Sequence, residues 1–207
     1  MIISKQKEFD VILRNLKEED IFIIGCGKCA KKLRVGGEPE VLQMKTKLEK
    51  AGKNIIGWTV LSSACYIRSW EEVLTQNPAI KKAHALLVMS CGGGISVISG
   101  FADIPAYPAL DTESLGGTCC EETVKDQCGM CGDCIIWMYG GICPLSQCAK
   151  TLLNGPCGGA KDGKCEVDDR LCVWDAIFER LKKIGKLEYL DVLRAPRDHT
   201  RNRRSNV

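Results

Sequence analysis

Histidine is nearly absent from this 207-residue chain, which contains only His84 and His199. A metal site built from several imidazoles is therefore excluded, and any metal chemistry must depend on thiolates. His84 precedes a predicted buried strand, which indicates a structural role. No serine–histidine pair or carboxylate pair stands out from the polar background, so the sequence shows no catalytic constellation of its own.

The sequence also lacks the segments that direct a protein into or across a membrane. Its first residues, MIISKQKEFD, contain no apolar run after the lysines, so we expect no signal peptide. The longest uncharged stretch, 83–102, includes a histidine, serines and glycines and is too polar to span a bilayer. We therefore expect a soluble, cytoplasmic protein.

The net positive charge of the chain is confined to its last residues. The formal net charge is +3, yet the segment 194–207 alone carries five arginines against one aspartate. The remainder is close to neutral, which excludes a broadly basic nucleic-acid-binding surface. Two interpretations of the basic tail stay open, namely a solvated end and a contact for an acidic partner.

Cysteine is the residue present in excess. The chain has 14 cysteines, whereas its 45% hydrophobic and 27% charged residues are ordinary for a globular protein. In a reducing compartment, so many cysteines indicate metal ligands rather than disulfides.

Apolar spacing in the first half predicts helices that alternate with strands. Helices are predicted within 3–17 and over 40–51, strands over 21–24, 54–61 and 85–89, and the start of a further helix at 95–98. This alternation predicts an α/β fold with a small, open parallel sheet of the Rossmann or flavodoxin type. Functional loops of such folds gather at the carboxyl ends of the strands.

The pattern changes near residue 110. Between Cys119 and Cys172 lie ten cysteines, many glycines and little periodicity, which predicts a loop-rich segment that bound metal must organise. Helical spacing returns over 173–184, with Trp174, Ile177, Phe178 and Leu181 on one face, and 189–193 extends it. We therefore expect two domains, an α/β domain over 1–112 and a cysteine-dense cluster domain with a C-terminal helix over 113–207.

A first group of four cysteines follows the predicted strands. Cys26 and Cys29 form a C-x2-C pair after one strand, and Cys65 and Cys91 follow the next two strands. Because the ends of parallel strands meet at one edge of a sheet, these thiolates are predicted to bind one metal centre. A four-iron cluster and zinc both suit this set, and the alternative is that Cys65 and Cys91 are small buried hydrophobes.

A second, denser group occupies the cysteine-dense half. Three cysteines at C-x2-C-x2-C spacing and a fourth followed by proline resemble a bacterial ferredoxin run, although the last gap is eight residues instead of three. The third cysteine at the same spacing favours an iron–sulfur cluster over tetrahedral zinc, and four more cysteines complete the number needed for two four-thiolate sites. The eight are Cys128, Cys131, Cys134, Cys143, Cys148, Cys157, Cys165 and Cys172. Their division between two clusters stays open, and the vicinal Cys119 and Cys120 are left over.

Four short motifs in the second half carry a resemblance to a known family. They are ICPLSQCAK at 142–150, LNGPCGG at 153–159, GKCEV at 163–167 and CVW at 172–174. With these motifs the chain resembles the methylenetetrahydrofolate reductase C-terminal family. The segments GCGKC at 25–29 and CGGG at 91–94 are similar to the family's N-terminal half. Within this family, the chain is most similar to the small iron–sulfur subunits of two-subunit members from acetogenic bacteria.

The resemblance implies a function that composition and spacing alone do not give. It implies a non-catalytic electron-transfer subunit with two [4Fe–4S] clusters in its second half and a further cluster, or zinc, in its first half. Its partners would be a separate (β/α)8 subunit that holds FMN and the folate, and an upstream donor such as ferredoxin. The setting would be an anaerobe that uses the reductive acetyl-CoA pathway. Two alternatives stay open, a zinc-stabilised docking scaffold and an accessory subunit of a corrinoid methyl-transfer system.

Overall fold

The computed structural model describes residues 1–120, 123–168 and 170–197, without the side chains of 118–120 and 123–125. The chain divides into two compact units, Met1–Glu113 and Ser114–Val207. The first unit contains, in chain order, β1 (Ile2–Gln6), α1 (Phe9–Asn15), β2 (Asp20–Cys26), α2 (Cys29–Lys32), α3 (Glu38–Lys50), β3 (Asn54–Leu61), α4 (Ile67–Gln76), a 3-10 helix (Pro78–Lys82), β4 (Ala85–Met89), α5 (Gly92–Phe101) and β5 (Ala106–Pro108).

Four strands of the first unit form a parallel sheet in the order β3-β2-β4-β5. The central strands β2 and β4 are almost wholly buried, as expected for uninterrupted apolar segments covered on both faces. Their register aligns Cys26 with Leu61 on β3 and Gly25 with Met89 on β4. The predicted α/β fold with a parallel sheet is therefore confirmed.

Alternate residues of these strands pack into two separate cores. Phe22 and Ile24 of β2 belong to a core with Trp70 of α4 and Ile98 of α5. Ile21 and Ile23 belong to the other core, with residues of α1 and α3 such as Leu48. Successive strand residues point to opposite faces, so helices cover both sides of the sheet and hold its carboxyl edge in place.

Three predicted boundaries in the first unit were wrong. The segment before Phe9 forms β1 instead of helix, Cys26 belongs to β2 instead of the following turn, and α5 begins at Gly92 instead of near Ile95. Cys91 is the N-cap residue of α5, so its three following glycines lie within the helix. Glycine is a poor helix former, which is why the sequence did not predict this early start.

The second unit departs from the predicted loop-rich texture. Strand β6 (Leu110–Cys120) begins at the end of the first unit and pairs antiparallel with β7 (Thr123–Cys128). Most residues of β6 are polar or glycine, so the hairpin gives little apolar alternation to detect. Further along lie a 3-10 helix (Ile136–Tyr139), α6 (Pro144–Gln147), α7 (Val173–Lys183) and a 3-10 helix (Leu187–Asp191).

The second unit has a small apolar core around α7. Its buried residues are Tyr139, Val173, Trp174, Ile177 and Leu181. Tyr139 and Trp174 meet edge to face, with ring centroids 5.7 Å apart, a favourable aromatic geometry. The prediction for Phe178 was wrong, because that side chain is 45% exposed. The segment after Gly185 forms the 3-10 helix instead of an extension of α7.

The helices are too short or too polar to span a bilayer: within the part of the chain that the structure describes, none is long and apolar enough to cross a membrane.

Candidate metal centres

Four of the eight candidate ligand cysteines of the second unit surround one cavity. We call it the first cysteine cavity; its cysteines are Cys128, Cys131, Cys134 and Cys143, and its volume is about 200 Å³. Cys128 ends β7 and Cys143 is the N-cap residue of α6. The hydroxyl of Ser146 donates a hydrogen bond to the Gln127 carbonyl oxygen at 2.9 Å. This bond connects α6 to the end of β7, the two elements that carry Cys143 and Cys128.

The loop of the first cysteine cavity requires unusual backbone angles. Met130 and Gly132 both have positive φ, at 54° and 79°. Such left-handed residues turn the chain sharply, which lets the closely spaced Cys128, Cys131 and Cys134 line the same cavity. The backbone N–H of Met130 donates to the Cys128 sulfur at 3.4 Å.

The other four cysteines surround a second cavity, which we call the second cysteine cavity. Its cysteines are Cys148, Cys157, Cys165 and Cys172, and its free volume of about 20 Å³ is much smaller. Two backbone hydrogen bonds secure the loop that holds two of them: the Cys165 N–H donates to the Arg170 carbonyl and the Cys172 N–H to the Gly163 carbonyl, both at 2.7 Å. Cys172 is the N-cap residue of α7, so this helix fixes its position.

Charged side chains flank the second cysteine cavity. Lys150 forms an ion pair with Glu166, and the Glu166 carboxylate lies 3.6 Å from the Cys157 sulfur. The hydrogen bond from Lys150 lowers the pKa of Glu166, and the same bond raises the pKa of Lys150. Both shifts keep the pair charged, so an ammonium group stays close to Cys157.

Helix α6 joins the two cavities. Its N-cap residue, Cys143, lines the first cysteine cavity, and its C-cap residue, Cys148, lines the second. At the helical rise per residue, these five steps span only about 8 Å. Centres held in the two cavities would therefore be near neighbours.

The second cysteine cavity is lined by a tryptophan whose buried indole N–H bears on whether an anionic cluster suits the cavity. Trp174 lines this cavity and is 4% exposed, yet among the described residues its indole Nε1–H has no hydrogen-bond partner. A buried donor without a partner is costly. The thiolates and sulfides of a cluster would supply acceptors for such a donor. The four cysteines therefore suit a cluster by their chemistry, and the free volume of about 20 Å³ would have to grow to admit one.

A site for a single metal ion requires several ligand side chains grouped around one point. Among the residues described, no three cysteine, histidine, aspartate or glutamate side chains are grouped so as to hold a single metal ion. The twelve candidate cysteines are all free of disulfide bonds. In the second unit they surround cavities instead of converging on one point.

The four cysteines of the first unit lie at the carboxyl edge of the parallel sheet. Cys26 ends β2, Cys29 begins α2, Cys65 follows β3 and Cys91 follows β4. Cys65 and Cys91 both lie beside Gly93: a Cβ placed on that glycine would lie 3.7 Å from the Cys65 Cβ and 4.0 Å from the Cys91 sulfur.

The remaining pair of this group has different surroundings. Cys26 is buried at 6% exposure, and the Cys29 sulfur lies 3.5 Å from the backbone N–H of Ile2. The structure therefore places Cys65 and Cys91 beside the same glycine and gives Cys26 and Cys29 contacts of their own on the same edge. The metal centre predicted for these four residues stays a prediction.

Sequence reasoning missed one residue at the first cysteine cavity, Arg197. Its guanidinium donates from Nη2 to the Asp133 carbonyl oxygen at 2.7 Å and to the Cys131 sulfur at 3.2 Å. The interpretation of the tail as a solvated end was wrong for this residue, because its side chain is 7% exposed. No local pattern marks Arg197, since the contact joins positions 66 residues apart. His199 and the arginines at 201, 203 and 204 lie outside the described residues.

Comparison with known proteins gives one match. Residues 107–200 match a family model described as the C terminal of methylene-tetrahydrofolate reductase. The matched segment contains all eight cysteines of the two cavities, whereas the four cysteines of the first unit precede it. No curated protein and no solved structure matches the chain. The family match supports a relationship between this chain and the methylenetetrahydrofolate reductases.

Proposed function

We propose that the chain is a non-catalytic electron-transfer subunit that acts with a flavin-containing methylenetetrahydrofolate reductase. The observation that carries this proposal is the placement of two four-cysteine cavities at opposite ends of α6. Four cysteine sulfurs are the usual ligand set of a [4Fe–4S] cluster. The family match to residues 107–200 supports the association with the reductase.

When bound, a four-iron cluster accepts and releases one electron at a time. The residues of this chain would hold two such centres within a short distance of each other. Cys143 and Cys148, at the two ends of α6, fix that distance through the helix. A donor that delivers single electrons would thereby be linked to a flavin, which requires two electrons to reduce the methylene group of the folate to a methyl group.

Backbone and aromatic groups would stabilise the bound state. In the second cysteine cavity, the backbone N–H of Gly159 donates to the Cys157 sulfur at 3.4 Å. Tyr139 and Trp174 belong to the buried apolar core of the second unit. There they would limit the access of water to the bound group. Since the apolar core of this unit is small, cluster binding would supply part of its folding free energy.

For the first unit we propose one further metal centre at the carboxyl edge of the sheet, held by Cys26, Cys29, Cys65 and Cys91. The position of Cys65 and Cys91 beside the same residue, Gly93, supports this proposal. A cluster and a zinc ion both suit four thiolates. If a cluster is bound there, it extends the electron path; if zinc is bound, it stabilises the fold.

Reconstitution with the flavin subunit tests the proposed function. Reduction of methylenetetrahydrofolate is measured with reduced ferredoxin or viologen as donor, using the flavin subunit alone, with this chain, and with its Cys134→Ser, Cys165→Ser double variant. We expect the chain to accelerate the reaction and the double variant to bind the flavin subunit without accelerating it.

The controls separate the proposal from its alternatives. Binding of each form to the flavin subunit is measured by gel filtration, so that a lost complex is distinguished from a lost electron path. Equal rates with the wild-type chain and the double variant, in intact complexes, would contradict electron transfer and favour a docking scaffold. Specific binding to a corrinoid protein in place of the flavin subunit would favour the methyl-transfer alternative.

A further inference from the structure

Arg197 places a buried positive charge against the first cysteine cavity. Its side chain is 7% exposed, and its Nη2 lies 3.7 Å from the nearer carboxylate oxygen of Asp133, in addition to its contacts with the Asp133 carbonyl and the Cys131 sulfur. Burying a guanidinium is costly unless opposite charge lies close by. Asp133 supplies one such charge at the rim of the cavity.

The contact with Cys131 supplies the second charge when that cysteine is a metal ligand. A neutral thiol is a weak acceptor, whereas a ligated thiolate keeps negative charge and accepts a charge-assisted hydrogen bond. A buried guanidinium directed at a cysteine sulfur therefore fits a ligated Cys131 better than a free thiol. A second arginine of the same segment, Arg194, donates from its Nη2 to the Tyr189 carbonyl oxygen instead.

The backbone just before Arg197 is held in place. The side-chain amide of Asn154 forms two hydrogen bonds with the backbone of Arg194, and Pro196 restricts the intervening chain. Arg197 therefore approaches Cys131 from an anchored segment, and the loss of side-chain entropy on docking is partly offset.

We propose that Arg197 is a positioning residue that raises the reduction potential of the cluster in the first cysteine cavity. The inference rests on the proposed function, because it requires a cluster at that site. Reduction adds one electron to an anionic centre, so a nearby positive charge and an N–H donated to a ligand sulfur favour the reduced state. Removal of either should make reduction harder at this centre and leave the other centres unchanged.

The test uses the full chain, purified without oxygen, and a redox titration followed by electron paramagnetic resonance. Arg197→Gln removes the charge and retains an N–H donor, while Arg197→Lys retains the charge. Arg194→Gln is the matched control, since among the described residues the Arg194 side chain forms no hydrogen bond with a cysteine sulfur and its backbone bonds to Asn154 are retained. Iron content is measured for every form.

We expect Arg197→Gln to shift one reduction step to a more negative potential, with iron content unchanged. Arg197→Lys should restore part of the shift, and Arg194→Gln should match the wild type. An unchanged titration in Arg197→Gln would overturn the inference and leave the proposed function intact. Loss of iron in both Arg197 variants would also overturn it, because the residue would then be structural. A wild-type chain without any cluster would instead overturn the proposed function.

Discussion

The side chain of Asn154 holds the backbone of Arg194 through two hydrogen bonds. Its Nδ2 donates to the Arg194 carbonyl oxygen at 2.9 Å, and its Oδ1 accepts from the Arg194 N–H at 2.7 Å. The two positions are 40 residues apart. Asn154 belongs to the LNGPCGG motif, which also contains Cys157. The motif therefore supplies both a cysteine of the second cysteine cavity and the side chain that anchors the C-terminal segment.

We predict that Asn154→Ala releases the segment around Arg194. Loss of these two solvent-exposed hydrogen bonds should reduce the free energy of unfolding by only about 1 kcal/mol. Hydrogen exchange at the Arg194 amide should become faster. Asn154→Asp, which retains the acceptor, should keep that amide protected. The control is Asn15→Ala, which removes only an exposed bond to the Val11 carbonyl at the end of α1. Unchanged exchange at Arg194 in Asn154→Ala would show that other contacts anchor the segment.

The short span of α6 predicts magnetic interaction between two reduced clusters. Because Cys143 and Cys148 are only about 8 Å apart along the helix, the spectrum of the fully reduced chain should differ from the sum of two isolated clusters. The isolated spectra are recorded from Cys134→Ser and Cys165→Ser, each of which should retain one cluster of the second unit. A wild-type spectrum equal to that sum would contradict the proposed proximity of the centres.

Gly36 marks a tight contact beside the carboxyl edge of the sheet. A Cβ at this position would lie 2.2 Å from the Met89 carbonyl oxygen, and the Gly36 carbonyl itself accepts a hydrogen bond from the Cys26 N–H at 2.9 Å. We predict that Gly36→Ala destabilises the first unit by about 1–3 kcal/mol. Gly100→Ala, in α5 with open space around it, should be neutral or slightly stabilising. Thermal unfolding by circular dichroism checks both, and equal stability of the two variants would refute the steric argument.

Cys65 and Cys91 provide the test of the centre in the first unit. We predict that Cys65→Ser and Cys91→Ser each remove one bound metal centre and leave the iron held by the second unit in place, since the two sets of ligands lie in separate units. Metal analysis before and after substitution measures the change and identifies iron or zinc. Unchanged metal content in both variants would mean that these cysteines serve as packing residues.

The sequence predicted the parallel sheet well for a clear physical reason. Strands such as Ala85–Met89 are buried on both faces, so their apolar residues form short uninterrupted segments that are easy to recognise. Strand β1 was mistaken for helix because Ile2–Gln6 contains two lysine or glutamine side chains and little alternation. The hairpin of β6 and β7 was missed because its polar residues give no periodic signal.

Cysteine spacing identified the candidate ligands, yet it gave no basis for dividing the eight of the second unit into two sets. That division depends on the path of the chain between α6 and α7, which brings Cys148 and Cys172, 24 positions apart in the sequence, to one cavity. The contact of Arg197 with Cys131 joins residues that lie still farther apart in the sequence, and no local sequence pattern predicts it. Long-range packing, not residue type, determines both arrangements.

Metal and sulfide analysis of the anaerobically purified chain, repeated for single cysteine variants, tests the central claim most directly. The account predicts about eight iron atoms and a similar amount of acid-labile sulfide in the second unit. Cys134→Ser and Cys165→Ser should each remove about four iron atoms, and the double variant about eight. Cys119→Ser, which replaces a cysteine that the spacing leaves outside the two predicted ligand sets, should remove none. Zinc in place of iron in the second unit, or loss of all its iron in either single variant, would contradict two independent clusters.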